Sequence, residues 1–178
     1  MKKNFLLMAL TAVVLAMGFV SCSDDDDPPF VTCPAEEIAG NYTGGIYAAF
    51  GYIGTGFMPQ ANQVTNITYN EDGETVKVIF DNETWGTFTF ESVTVSVTED
   101  ASFSLEGEGV CVVPLRGPDT TTGEVDETKT YDATFTGTIT NGKLVAKFVA
   151  PGLMVGGTTI YFNFEDFDKY YDAANQAE

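Results

Sequence analysis

Residues 131–144, YDATFTGTITNGKL, decide the fold class of this chain. Apolar or small residues alternate with polar ones along it, and a period of two is the pattern of a β-strand with one buried face. Asn141-Gly142 follows the alternating run, and Asn-Gly between two such runs is a strong signal for a two-residue hairpin turn. The segment therefore predicts a strand, a tight turn and an antiparallel partner strand.

The same alternation recurs along the chain, interrupted by turn signals at intervals of about 8–12 residues. Strands are predicted at 40–50, 63–70, 74–80, 85–97, 103–113, 131–140, 143–149 and 158–164. In the fourth, the apolar residues change phase between Phe90 and Val93, which predicts a β-bulge at Glu91-Ser92. About eight antiparallel strands with short connections predict an all-β fold, an up-and-down β-barrel, because closure removes exposed strand edges.

The first 21 residues have the features of an export signal. Two lysines precede an apolar run, Phe5 to Val20, which has the length of a signal-peptide core and is short for a membrane span. With a small residue before Cys22, the segment resembles a bacterial lipoprotein signal, so residues 1–21 are predicted to be removed and Cys22 to carry lipid. The alternative is an ordinary secretory signal followed by a polar spacer.

The residues directly after the cysteine resemble the surface-export signal of Bacteroides-group lipoproteins. They are Ser23, Asp24, Asp25, Asp26 and Asp27. The expected location is therefore the outer membrane at the cell surface, with the protein held by its lipid. Prolines and aspartates make residues 22–38 a predicted extended tether, and the folded domain is predicted at 39–178.

The charge balance excludes several partners. The chain has 26 acidic against 8 basic residues, a formal net charge of −18. Nucleic acid is excluded because phosphate binding needs clustered Lys and Arg. Anionic lipid would repel such a surface, so only acyl chains are expected to bind the membrane. The simplest interpretation of the acidity is solubility and repulsion between molecules.

The chain lacks the residues of common catalytic and metal sites. It has no histidine, so neither a Ser-His-Asp nor a Cys-His arrangement can form. Zinc-site spacing, an acidic calcium loop and a phosphate-binding glycine loop are also missing. We therefore expect no enzyme activity, no cofactor and no metal. Glu106 and Glu108 share one face of a strand and are interpreted as a solvated outer face.

Cys33 and Cys111 leave two alternatives open. Export permits a disulfide between them. Cys111 also falls in phase with the apolar face of its strand, where a free thiol packs as a small hydrophobic group.

Two loops, 50–59 and 151–157, are rich in glycine and yet apolar. In an up-and-down barrel, the connections after the first and seventh strands lie at one end, and the first and eighth strands are neighbours, so these loops should touch. Either they form the mouth of a ligand site or they fold inward and plug the barrel. The candidate mouth residues are Tyr52, Ile53, Phe57, Met58, Leu153 and Met154.

A third loop contains Asp119-Thr120-Thr121. This triplet resembles the Asp-Ser/Thr-X acceptor for O-glycans in exported proteins of the Bacteroides group, which makes Thr120 a candidate glycosylation site. The alternative is a plain polar loop.

Three segments resemble one family. Residues 39–44, AGNYTG, resemble the A-G-x-Y-x-G start of the calycin-like domains carried by Bacteroides-group lipoproteins. Residues 103–109, FSLEGEG, and 135–144, FTGTITNGKL, are similar to later strands of that family. The resemblance extends over about residues 39–164 and implies a lipocalin-like barrel without an established activity.

Two functions are compatible with these observations. The first is a surface lipoprotein whose barrel binds a small hydrophobic ligand between the two apolar loops. The second is a protein-interaction or structural module of the cell envelope with a filled barrel, whose partner is another surface protein. Large side chains in phase with the barrel interior favour the second function, because they would fill the barrel. Small residues in the same phase favour the first, because they would leave space for a ligand.

Overall fold

The computed structural model describes residues 33–51, 58–114, 128–165 and 167–168. Its elements are α1 (Pro34–Glu37), β1 (Gly40–Phe50), β2 (Gln60–Tyr69), β3 (Thr75–Asn82), β4 (Gly86–Val97), β5 (Phe103–Pro114), β6 (Thr128–Thr140), β7 (Lys143–Ala150) and β8 (Thr158–Phe162). The all-β prediction is confirmed. Among the described residues, no helix is long and apolar enough to cross a membrane.

The eight strands form one closed antiparallel barrel in sequence order, with β1 paired to β8. The turn between β6 and β7 is the predicted Asn-Gly hairpin. Thr140 pairs with Lys143 across it, and Asn141 and Gly142 have φ angles of 52° and 74°. Two positive φ angles give the turn whose twist matches that of the flanking strands.

The predicted bulge in β4 is also present. Val76 of β3 pairs with Val93, and Val78 pairs with Phe90, so β4 has one more residue than β3 between the two pairs. The extra residue returns the apolar side chains to the interior, and Phe90 and Val93 are both fully buried. The change of phase in the sequence thus reflects a local insertion within a continuous strand.

The folded part begins earlier than the sequence predicts. Cys33, Ala35 and Ile38, placed in the tether above, are buried. Pro34 occupies the first turn of α1, where its fixed φ favours a helix start. The hydroxyl of Tyr42 donates a hydrogen bond of 2.8 Å to the Ile38 carbonyl. The short helix therefore packs on the barrel core, at the end where β2 turns into β3.

Candidate functional site

The barrel interior is filled by aromatic rings. The fully buried phenylalanines are Phe80, Phe88, Phe90, Phe135, Phe148 and Phe162. Phe148 lies at their centre, with its ring centroid 4.9 Å from that of Phe80, 5.2 Å from Phe135 and 5.7 Å from Phe88. These separations are those of rings in direct contact. The interior is thus a packed core, and the side-chain volumes occupy the space that a ligand would need.

The two apolar loops meet, as their positions in the strand order predict. The amide of Gly51, directly after β1, donates a hydrogen bond of 3.1 Å to the carbonyl of Gly157, directly before β8. A side chain at Gly51 would lie 1.9 Å from the carbonyl oxygen of Gly156. The backbones are therefore in contact, and a Cβ atom at Gly51 would not fit.

The described candidate mouth residues differ in exposure. Tyr52, Ile53 and Phe57 lie outside the described residues. Leu153 is buried, whereas Met58 and Met154 are exposed by 47% and 57%.

Below these loops, the barrel end is closed by buried side chains. Trp85, in the turn from β3 to β4, is buried, as is Leu153. The thiol of Cys111 donates to the carbonyl of Trp85 at 3.4 Å. The described part of this end is a plug beneath the exposed methionines.

The disulfide between Cys33 and Cys111 is wrong, and the alternative of a free thiol is correct. Cys111 is a free, buried cysteine, and burial raises the pKa of its thiol to about 12. Cys33 Sγ lies against the carbonyl of Gly73, in the turn from β2 to β3. That turn and the β3–β4 turn holding Trp85 are at opposite ends of the barrel, which separates the two sulfur atoms.

Asn163 was not singled out from the sequence, but it closes the barrel seam. The backbone amide of Gly45 donates a hydrogen bond to Asn163 Oδ1 at 3.2 Å. The backbone amide of Asn163 donates to the Gly45 carbonyl at 2.8 Å. Asn163 Nδ2 donates to the Leu144 carbonyl at 2.9 Å. One side-chain amide therefore joins β1 to β7 just beyond the end of β8. Its φ of 54°, accessible to Asn at little cost, ends β8 there.

The chain beyond Asn163 crosses the outer wall, so the prediction that β8 extends to Phe164 is wrong. The Phe164 ring packs edge-on against Tyr161 with a centroid distance of 4.8 Å. Tyr161 in turn stacks on Tyr47 at 4.6 Å. The ammonium of Lys147 lies 5.6 Å from the Tyr161 ring and 5.4 Å from that of Phe164. Since Asn163 changes the chain direction, Phe164 belongs to this outer aromatic cluster and not to the interior.

A groove of about 280 Å³ lies beside this cluster on the outer wall. It is bordered by Phe164 and by the outer faces of β5, β6 and β7. Its lining includes Ser104, Glu106, Thr136 and Lys147. Glu106 and Glu108 are both exposed, which agrees with their interpretation as a solvated outer face.

The remaining predicted site residues lie outside the described part of the chain. They are Cys22, Ser23, Asp24, Asp25, Asp26, Asp27 and Thr120. Their lipidation, export and glycosylation stay predictions.

The fold is similar to a solved crystal structure from Bacteroides fragilis, described as "a putative outer membrane protein". The two chains are 28% identical, with a TM-score of 0.51. The match covers 74% of this chain and 45% of that one, so the chain spans less than half of its neighbour's length. No family model matches the sequence, and no curated protein matches it.

Proposed function

We propose that the protein is a surface-exposed, lipid-anchored barrel that serves as an interaction or structural module of the cell envelope and has no enzyme activity. The observation that carries this proposal is the solid interior, in which Phe148 contacts the rings of several other buried phenylalanines. A filled barrel is a rigid support, and its outer wall is what remains available to a partner. The calycin-like resemblance agrees with such a scaffold.

The anchoring part of the proposal rests on the first 27 residues and on the similarity to an outer membrane protein of Bacteroides fragilis. Among the residues that the structure describes, packing on the barrel starts at Cys33. Even if fully extended, the chain from Cys22 to Cys33 would span at most about 40 Å. A lipid at Cys22 would keep the barrel close to the membrane surface, with its outer wall accessible to other surface proteins.

The alternative of a small hydrophobic ligand is less well supported. It needs interior space beneath the two loops, and Trp85 and Leu153 are buried there. Exposed Met58 and Met154 at the same end are the observation in its favour, but side chains on a surface do not enclose a ligand.

The test compares bound small molecules with bound proteins in the native host. Photoreactive residues would replace the outward-facing Thr134 and Thr136, and cells would be irradiated intact. We expect a defined protein adduct at some outer positions and no small molecule in the purified protein at a one-to-one ratio. A hydrophobic molecule bound one-to-one and released only on unfolding would overturn the proposal in favour of the ligand alternative.

A further inference from the structure

The barrel wall has an incomplete seam. β1 pairs with β8 only from Ile46 to Phe50, and its earlier residues, Gly40–Gly44, pair with β2 alone. On the other side of the seam, pairing between β7 and β8 starts at Ala146, so Lys143–Val145 pair with β6 alone. Two strand edges thus border the same gap, which we call the edge slot: Gly40–Gly44 of β1 and Lys143–Val145 of β7.

Asn163 occupies the first position of the edge slot. Its side-chain amide accepts from Gly45 and donates to Leu144, which are the bonds that another residue of β8 would make with its backbone. The chain then leaves the sheet for the outer wall, where the Phe167 ring lies over Gly45. The Asn163 side chain thus replaces the backbone of β8 at one position, and β8 ends there. Among the described residues, no strand occupies the rest of the slot.

The direction of the β1 backbone groups follows from this contact. Both the amide and the carbonyl of Gly45 face Asn163. Because residues two apart in a strand direct these groups to the same side, the backbone groups of Thr43 and Asn41 also face the slot. Within the described ranges, no hydrogen bond reaches them from that side, and both residues are exposed. Unpaired edge groups of this kind are a template for another strand.

The charges around the edge slot indicate the kind of strand that fits. α1 leads directly into β1 and carries exposed Glu36 and Glu37. Glu165 and Asp168, also exposed, follow Asn163. Lys143, exposed on the β7 edge, is one basic residue against these four acidic ones. A segment carrying Lys or Arg is favoured at such a site, whereas a second copy with a net charge of −18 is repelled.

We propose that the edge slot binds an extended basic segment of a partner protein, which pairs with β1 in the direction of β8. This inference rests on the proposed interaction function and names its surface and partner. Backbone hydrogen bonds to Asn41 and Thr43 would supply affinity, as in other cases of strand addition, and the carboxylates would select the basic segment.

The first test needs no partner and uses hydrogen–deuterium exchange on the purified lipidated protein, read residue by residue. The amides of Asn41 and Thr43 should exchange rapidly, while those of Tyr47 and Ala49, which face β8, should be protected. Equal protection at all four residues would mean that the protein's own chain already covers the edge, and the proposal would be overturned.

The second test adds a synthetic peptide, Lys-Val-Thr-Val-Lys-Thr-Val-Lys, and a control in which each lysine is glutamate. The lysine peptide should slow exchange at Asn41 and Thr43 by about tenfold or more, and the glutamate peptide should not. Replacing Glu36 and Glu37 by Gln should weaken the lysine peptide's effect. The same change at Glu83, in the turn between β3 and β4 at the opposite end of the barrel, and at Glu108 of β5 should leave it intact.

The outcomes separate the two proposals. If the lysine peptide does not slow exchange at Asn41 and Thr43, or if the glutamate peptide slows it equally, the edge slot is overturned as a site for basic segments. The interaction function then still stands if intact cells yield a protein adduct elsewhere on the outer wall. If they yield a one-to-one hydrophobic molecule instead, the interaction function fails as well.

Discussion

The amide nitrogen of Gly45 and the side-chain oxygen of Asn163 lie 3.2 Å apart across the barrel seam. Directly beside this pair, a Cβ atom on Gly44 would lie 2.0 Å from the same oxygen. Gly44 therefore lets the asparagine side chain enter the wall between β1 and β7, and Gly45 leaves room for the Phe167 ring beside it. The seam depends on a match between small residues on one strand and a single amide on another.

Replacing Asn163 tests this closure. Asn163→Gly permits the same positive φ but removes both side-chain hydrogen bonds, and we expect a loss of about 1–3 kcal/mol in the free energy of unfolding. Asn163→Asp should cost more, because its second oxygen would face the Leu144 carbonyl that now receives a hydrogen bond. Urea denaturation measures both, and equal stability of all three proteins would contradict the role of Asn163.

Replacing Phe148 by Ala tests the filled interior. The central ring is fully buried, so its removal should cost about 3–5 kcal/mol and leave an apolar cavity. We expect benzene to raise the melting temperature of this variant and leave that of the parent unchanged. Phe164→Ala, on the outer wall, is the matched control and should show no benzene effect. A parent protein stabilised by benzene would contradict the packed core.

Cys111 should make stability depend on alkaline pH. Burial raises its pKa from 9.0 to about 12, so the folded state keeps the proton while the unfolded chain loses it. The resulting stabilisation is complete below pH 9 and declines as the pH rises from about 9 to about 12. Urea titrations at pH 7 to 10 should show this decline, and Cys111→Ala should reduce it. Identical pH profiles would refute the assignment.

Lipidation predicts a change of location for Cys22→Ala. Without the thiol, no acyl anchor can form, and the variant should leave the membrane fraction of cells. Ser23→Ala, which keeps the cysteine, is the control and should remain in that fraction. If Cys22→Ala still sediments with membranes as the parent does, the lipoprotein prediction is wrong.

The aspartate run is predicted to direct surface display. Changing Asp24–Asp27 to Ala should leave the lipid in place and lower the accessibility of the protein to protease on intact cells. Changing them to Glu keeps the charge and should preserve accessibility. If protease cleaves the parent and both variants equally on intact cells, the aspartate run does not direct surface display and serves only as a spacer.

Much of the fold was predictable because it depends on local alternation. In β6, polar residues such as Thr134 and Thr136 face water while Ala133 and Phe135 face the core, and this order is visible in the sequence. The bulge in β4 was visible for the same reason. The site was less predictable. Of the three mouth residues that the structure describes, Leu153 turns into the core, while Met58 and Met154 do not.

The sequence by itself determined the strands, their turns and their order around the barrel, because side-chain period and turn chemistry act over a few neighbouring residues. Tertiary structure alone decided that the interior is solid, that α1 plugs one end and that Asn163 interrupts β8. These features depend on which side chains meet across the barrel and how their volumes sum. The distances between side chains on opposite walls are set only once the last strand has paired with the first.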